Sequence, residues 1–316
     1  MSAEPPRNES TSEGSAVDGP TTDGPISEGS AVDGPTTEPA VIAHRGFAGV
    51  FPENTVGAAV AAADREETSM LEIDVQPAAC GTPVVFHDDR LEGTRDGRPI
   101  TDAEGLVWET PLEELRETDV LGSGEPVPTL AELLEAVPET VAVNVELKNP
   151  GTADVRFAEA LPERDRDPRR ELWSPFVERV VDDCDAFGGE LLFSSFFEGA
   201  LAAARDVAPE YAAATLVWDS LADGLEVARR YDCEAIHPPR NAVTGTAMTG
   251  EEYYGLPASE PEVDVLAVAH EEGRAVNVWT IETWVQFDEL REAGVDGIIA
   301  EYPALGTDSS ERSPTA

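Results

Sequence analysis

Positive charge is what this chain has least of. Its 316 residues hold 21 lysines and arginines against 64 aspartates and glutamates, a formal net charge of −43. Such a surplus excludes the polyanionic partners, nucleic acid and an anionic membrane surface. Lysine is almost missing: Lys148 stands alone among the bases, and the rest are arginine. The acids are spread through the whole chain, the composition of a halophile's protein that stays hydrated in concentrated salt. Screening length falls from about 10 Å at 0.1 M to about 3 Å at 1 M ionic strength, so folding and activity are expected to rise together in molar KCl. A protein fully folded and most active in dilute buffer would overturn that reading. Cysteine is scarce too. Cys80, Cys184 and Cys233 are too few and too scattered for a disulfide framework or a zinc site. No apolar run approaches the roughly 20 residues of a membrane span, and the N-terminus shows neither a basic nor an apolar signal region. The expectation is a cytoplasmic protein.

What the chain does have begins with a repeat. Ser-Glu-Gly-Ser-Ala-Val-Asp-Gly-Pro-Thr-Thr occurs at Ser12–Thr22 and again at Ser27–Thr37. Two polar copies without an aromatic anchor cannot offset their ordering entropy, so residues 1–39 read as a disordered acidic tail, and residues 306–316 likewise. Between the tails, apolar strand-like runs start at Val41, Leu71, Pro83, Val141, Glu190, Ala212, Glu234, Ala275 and Gly297. Amphipathic helical patterns fill the gaps, at 129–137, 175–187, 199–207, 221–231, 261–272 and 283–293. This alternation predicts an α/β fold with a parallel sheet. The runs number one more than an eight-stranded barrel requires. Because Gln76–Thr82 is too short for a helical crossover, 71–75 and 83–86 are expected to form a hairpin-like pair at the barrel rim. The fold expected over residues 40–305 is a TIM-type (β/α)8 barrel with a small insertion, about 89–126, after the third strand-like run. An open doubly wound sheet would want a glycine-rich phosphate loop after the first strand, and His44-Arg45-Gly46 is not one.

The chemistry concentrates between Val41 and Leu91. Two of only four histidines, His44 and His87, end strand-like runs there, and a histidine pair can serve as base and acid near neutral pH. His237, at a strand end before Pro238-Pro239, is a weaker candidate for the same pocket, and His270 reads as a surface residue. Glu72 and Asp74 alternate with Leu71, Ile73 and Val75, so both share one face of a strand. Glu146 ends a further apolar run. Three carboxylates inside apolar strands, with no sulfur and no clustered imidazole, form an oxygen-ligand site suited to a hard divalent cation, Mg²⁺ or Ca²⁺. The lone Lys148, two residues on, supplies a compact charge for a phosphoryl oxygen or a carboxylate, and Arg45 a planar fork for the same anion.

Taken together, His-Arg-Gly at His44–Gly46, Pro-Glu-Asn-Thr at Pro52–Thr55, Glu-Ile-Asp-Val at Glu72–Val75, Val-Val-Phe-His-Asp at Val84–Asp88, Glu-Leu-Lys at Glu146–Lys148, Val-Trp-Thr at Val278–Thr280 and Asp-Gly-Ile-Ile at Asp296–Ile299 resemble, in order, the glycerophosphodiester phosphodiesterases. The resemblance covers about 41–305. It implies a divalent cation on Glu72, Asp74 and Glu146, His44 and His87 as the acid/base pair, and Arg45 and Lys148 on the phosphate. It further implies Glu53 and Asn54 supporting the first loop and Trp279 walling the glycerol pocket. The implied substrate is a small glycerophosphodiester, split into glycerol phosphate and an alcohol. The last-strand motif departs from the family's Thr-Asp-Tyr/Arg-Pro: here it reads Ala300-Glu301-Tyr302-Pro303. Two alternatives stay open: a cyclising phospholipase-like lyase, which would use the same residues and differ only in product, and a catalytically silent phosphodiester-binding protein, which would keep the fold but lack part of the constellation.

Overall fold

Residues 38–306 are described by a computed structural model of the chain. The repeat tail, apart from its last two residues, and residues 307–316 lie outside the described residues. The first strand, β1 (Ala40–His44), leads through the His44–Gly46 turn into helix α1 (Val56–Ala63), which Thr55 caps by accepting from the Ala58 amide at 3.1 Å. Strand β2 (Thr68–Pro77) turns back into the short β3 (Pro83–Val85), and the hairpin β4 (Thr94–Arg95) and β5 (Arg98–Pro99) follows. Helices α2 (Leu112–Leu115) and α3 (Leu130–Ala136) lead to β6 (Ala142–Leu147). From there the chain alternates: α4 (Glu163–Cys184), β7 (Leu191–Ser195), α5 (Glu198–Val207), β8 (Ala212–Leu216), α6 (Leu221–Arg230), β9 (Ala235–His237), α7 (Val265–Glu271), β10 (Ala275–Ile281), α8 (Trp284–Ala293) and β11 (Gly297–Ala300).

Eight of these strands close into a parallel barrel in the order β1-β2-β6-β7-β8-β9-β10-β11, with β11 pairing back to β1. The supernumerary β3 pairs antiparallel with the end of β2, Val75 opposite Val85. That is the rim hairpin expected from the short linker.

The period-2 alternation of the strands decides which side chains meet. Ala43, Leu71, Ile73, Val75, Val143, Val145 and Leu147 face outward into the principal core, against apolar residues of α1, α3 and α4 such as Ala59, Leu133 and the fully buried Trp173. Each of the valine, leucine and isoleucine side chains, fully buried, contributes on the order of 1.5–3 kcal/mol. The inward set fills the barrel: Leu192, Ala214 and Ala235 at one level, and Ile42, Leu216, Trp279 and Ile299 at another. Gly297 is required beside them, because a Cβ there would lie 2.3 Å from Asn277 Oδ1.

Two helical expectations shift. The helix predicted from Pro175 starts at Glu163 and runs through Pro168 and Pro175. Trp173, Phe176, Val177 and Val180 bury along one side of it, and that packing outweighs the amide bonds the prolines remove. The helix expected over 261–272 is confined to Val265–Glu271, where Asp264 caps it. The stretch 89–126, expected as a small insertion, contains β4, β5, a 3₁₀ turn at Val107–Glu109 and α2. Its Leu91, Val107, Leu115 and Val120 form a small separate core together with Ala78, Val84 and Phe86 of the rim hairpin. Its elements are too short to show periodicity in sequence. Among the described residues no helix is long and apolar enough to cross a membrane.

His237 is inside the barrel and fully buried, its Nε2 2.9 Å from the Asn277 amide nitrogen; it does not line the cavity described below. Burial alone pushes it down to about 3. An imidazole kept neutral by the fold but free to protonate near 6.5 when unfolded costs stability as pH falls from 6.5 toward 3, since the unfolded chain then binds the extra proton. His237→Gln is expected to lose about 2 kcal/mol less than the parent between pH 7.5 and pH 5, read by urea unfolding at each pH. Identical pH slopes for the two proteins would refute this. His270 is at the surface, 2.8 Å from Asp296.

Candidate active site at the mouth of the barrel

The site is built from register. His44 on β1 lies beside Glu72 on β2, Glu72 beside Asn144 on β6, and Asp74 beside Glu146, each a parallel neighbour across the ladder. Because all five point inward from adjacent strands, ligand oxygens of Glu72, Asp74 and Glu146 come within 4.8 Å of one another, and all three residues are buried. Glu72 Oε1 is buried with no hydrogen-bond partner among the described residues. A free buried carboxylate oxygen facing two further carboxylates is a donor set for a hard cation. The cluster fits a divalent ion.

Its charges are unevenly balanced. Burial, with Asp74 and Glu146 adding to it, pushes Glu72 well above the usual carboxylate range. Burial likewise raises Glu146, with Asp74 adding, against the opposing pull of Lys148 and Arg45. For Asp74, burial acts upward, but Arg45, His87, Lys148 and the Asn54 amide outweigh it and hold it below the ordinary range. Arg45 Nε is 3.2 Å from Asp74 Oδ2, and Lys148 Nζ is 2.9 Å from Glu146 Oε1 and 3.5 Å from Asp74 Oδ1. Burial pulls Lys148 down, and the Glu146 and Asp74 charges more than reverse it.

The first loop is held in a conformation that side chains rarely adopt. Arg45 and Asn54 have φ of 50° and 59°. A Cβ on Gly46 would lie 2.9 Å from the Ala58 backbone, so only glycine fits the turn. The strain is held by bonds into the cluster: the Arg45 amide donates to Glu72 Oε2 at 3.0 Å, and Asn54 donates to Asp74 at 2.8 Å while accepting from the Asp74 amide at 3.2 Å. Glu53 accepts from Arg45 at 3.3 Å.

A cavity of about 310 Å³ opens over this cluster, at the ends of the strands where barrel sites form. His44, Arg45, Glu72, His87, Glu146, Lys148 and Trp279 line it, while Glu53, Asn54 and Asp74 stand behind that lining. All ten residues that the resemblance implies are thus gathered in one place, whereas His237 lies apart from the cavity lining. Burial, with Arg45 and Lys148 nearby, pushes His87 down to about 3 against the opposing pull of Asp74 and Asp88. Its Nδ1 is 3.2 Å from Asp88 Oδ1.

Two polar residues went unforeseen. Glu301, in the departing last-strand motif, is 2.5 Å from His44 Nδ1, leaving Nε2 turned toward the cluster, 3.9 Å from Glu72 Oε2. Its place just past β11, the neighbour of β1, is a signal the sequence offered. Arg95, on the insertion's β4, donates to both Glu53 oxygens at 2.8 and 2.6 Å and to Asp88 at 2.6 Å. No local pattern announces that contact, which joins the insertion to both histidine loops. The rings of Phe157, Phe196, Trp218 and Tyr254 also line the cavity.

Residues 44–305 match the sequence profile of the glycerophosphoryl diester phosphodiesterase family. The chain is 28% identical over 273 residues to a glycerophosphodiester phosphodiesterase of Bacillus altitudinis, covering 83% of this chain and 94% of the relative. It is 28% identical over 275 residues to one from Caldanaerobacter subterraneus subsp. tengcongensis, again over 83% and 94% of the two chains. Among solved structures it resembles a phosphodiesterase of Oleispira antarctica in complex with the product sn-glycerol-3-phosphate, with a TM-score of 0.64 and 27% identity over 84% of this chain and 94% of that one. With the profile spanning nearly the whole barrel, the chain belongs to the glycerophosphoryl diester phosphodiesterase family.

Proposed function

We propose that this enzyme hydrolyses glycerophosphodiesters to glycerol phosphate and an alcohol, with a Mg²⁺ or Ca²⁺ ion on Glu72, Asp74 and Glu146 and with His44 and His87 as the proton carriers. The observation that carries the reading is the buried three-carboxylate cluster, within 4.8 Å, in a cavity that both histidines line. The product named for the Oleispira antarctica structure supports the substrate class.

When bound, the cation would supply Lewis-acid stabilisation of phosphoryl charge. The chain's own groups do the rest. Arg45 and Lys148, each tied to carboxylates on one side, present fixed positive charge to the phosphoryl oxygens without reorganising. Glu301 holds His44 by Nδ1, so that Nε2 is the nitrogen that takes or gives a proton at the reacting oxygens. His87 performs the complementary transfer, and Arg95, through Asp88, limits how far its loop can move.

The test is release of glycerol phosphate from glycerophosphocholine and glycerophosphoethanolamine in molar KCl, with Mg²⁺, Ca²⁺ or EDTA. Metal-dependent release is expected. Glu301→Gln should lower kcat by about 10- to 100-fold with KM little changed, since it disturbs a proton carrier and not substrate binding. Cyclic phosphate as the final product would replace hydrolysis by a cyclising lyase reaction. No turnover of either substrate, with metal bound, would leave a binding protein.

A further inference from the structure

The half of the cavity away from the carboxylates is a wall of aromatic rings. Phe196 begins it, with Lys148 Nζ 5.9 Å from its ring centre. Trp279 stands 5.7 Å from Phe196, Trp218 stacks on Trp279 at 5.8 Å, and Phe157 and Tyr254 follow at 5.5 and 6.1 Å from Trp218. The inner end is covered, whereas Phe157 and Tyr254 at the rim are 46% and 59% exposed. The rings come from separate connections, after β6, after β7, after β8, between β9 and α7, and from β10 itself. Tyr254 is held in place by its neighbour: the Tyr253 hydroxyl accepts from the Thr280 amide at 3.0 Å, and the Arg240 guanidinium lies 4.2 Å over the Tyr253 ring.

Glycerol and phosphate are small enough to account for Trp279, the ring expected to wall the glycerol pocket, but not for the run of four further rings beside it. We propose that the wall binds an alkyl chain carried by the phosphodiester, so that single-chain, amphiphilic phosphodiesters are better substrates than the small polar ones. This inference rests on the hydrolytic reading above. A quaternary ammonium is the other group that aromatic rings attract, and the geometry disfavours it. Neighbouring ring centres are 5.1–6.1 Å apart, so the rings form one continuous apolar face, and its inner end already carries the Lys148 ammonium, 5.9 Å from the Phe196 ring centre, whose charge repels a second cation. The acids lining the cavity, Glu72 and Glu146, belong to its opposite, metal-binding end. A cavity of about 310 Å³ is at the small end for ligand sites, so a chain of more than a few carbons runs out over Phe157 and Tyr254. That accounts for the exposure of both rings.

The chain can be attached to the departing alcohol or to a glycerol oxygen, and two substrate series separate these. One carries methyl, butyl and hexyl alcohols on glycerophosphate. The other carries the same groups as ethers on the glycerol of glycerophosphoethanolamine. All are assayed below their critical micelle concentrations with the metal-loaded enzyme in molar KCl. In one series kcat/KM should rise about two- to fourfold per added methylene until the wall is covered; the rising series identifies the point of attachment. Phe157→Ala and Tyr254→Ala should each reduce the hexyl-to-methyl ratio, a quantity in which any general loss of activity cancels. The ester of 3,3-dimethylbutanol, the uncharged isostere of choline, should match or exceed glycerophosphocholine. Turnover that is flat with chain length in both series would overturn this inference alone, as would a tenfold preference for choline over its isostere. Failure to turn over any of these esters would remove the hydrolytic reading and this inference together.

Discussion

Replacing His44 with Gln is expected to lower kcat by about 10²–10⁴-fold, the range general acid–base catalysis supplies, while the metal-induced rise in melting temperature persists. The two readouts separate because His44 touches the cluster without belonging to it. Its Nε2 stands 3.9 Å from Glu72 Oε2 and its Nδ1 is taken by Glu301. A variant that retained metal binding and kept activity within tenfold of the parent would dismiss His44 as a proton carrier. Loss of both properties would make it a metal-site residue instead.

Glu72→Gln should have the opposite signature, a protein that is more stable without metal and nearly inert with it. Glu72 is buried with one oxygen unpartnered and two carboxylates close by, and burial is the largest influence on it. Removing that charge relieves repulsion and desolvation, worth about 1–3 kcal/mol in the metal-free protein. The same change removes one of the three carboxylates proposed to hold the cation. Metal affinity should therefore fall by more than the roughly 10–100-fold typical of losing an outer partner, and activity should fall with it. Calorimetry with and without Ca²⁺ or Mg²⁺ reads both effects. A destabilised metal-free variant with unchanged metal affinity would place the ion elsewhere.

Such a gain in stability from a lost charge is the mark of a site whose residues are selected against the local rules of folding. The same conflict made the site legible. Glu72, Asp74 and Glu146 interrupt apolar strands in which nothing else is charged, and the solitary Lys148 follows directly. A buried charge needs a reason, and alternation placed the first two carboxylates on one face before any contact was known.

Sequence by itself determined the α/β alternation, the barrel and the rim hairpin, because these follow from strand period and linker length, local properties of the chain. Composition and alternation singled out the two histidines, the three carboxylates, Arg45 and Lys148, whereas Glu53, Asn54 and Trp279 were implied only by the family resemblance. Tertiary structure alone decided the rest. Glu301 meets His44 across 257 positions of sequence, a contact made only when β11 closes on β1. Arg95 reaches Glu53 and Asp88 only because the insertion folds on a small core shared with the rim hairpin. The aromatic wall is assembled from connections whose lengths and turns carry no periodic signal. Closure of the barrel brings these distant segments together, and no window of neighbouring residues contains it.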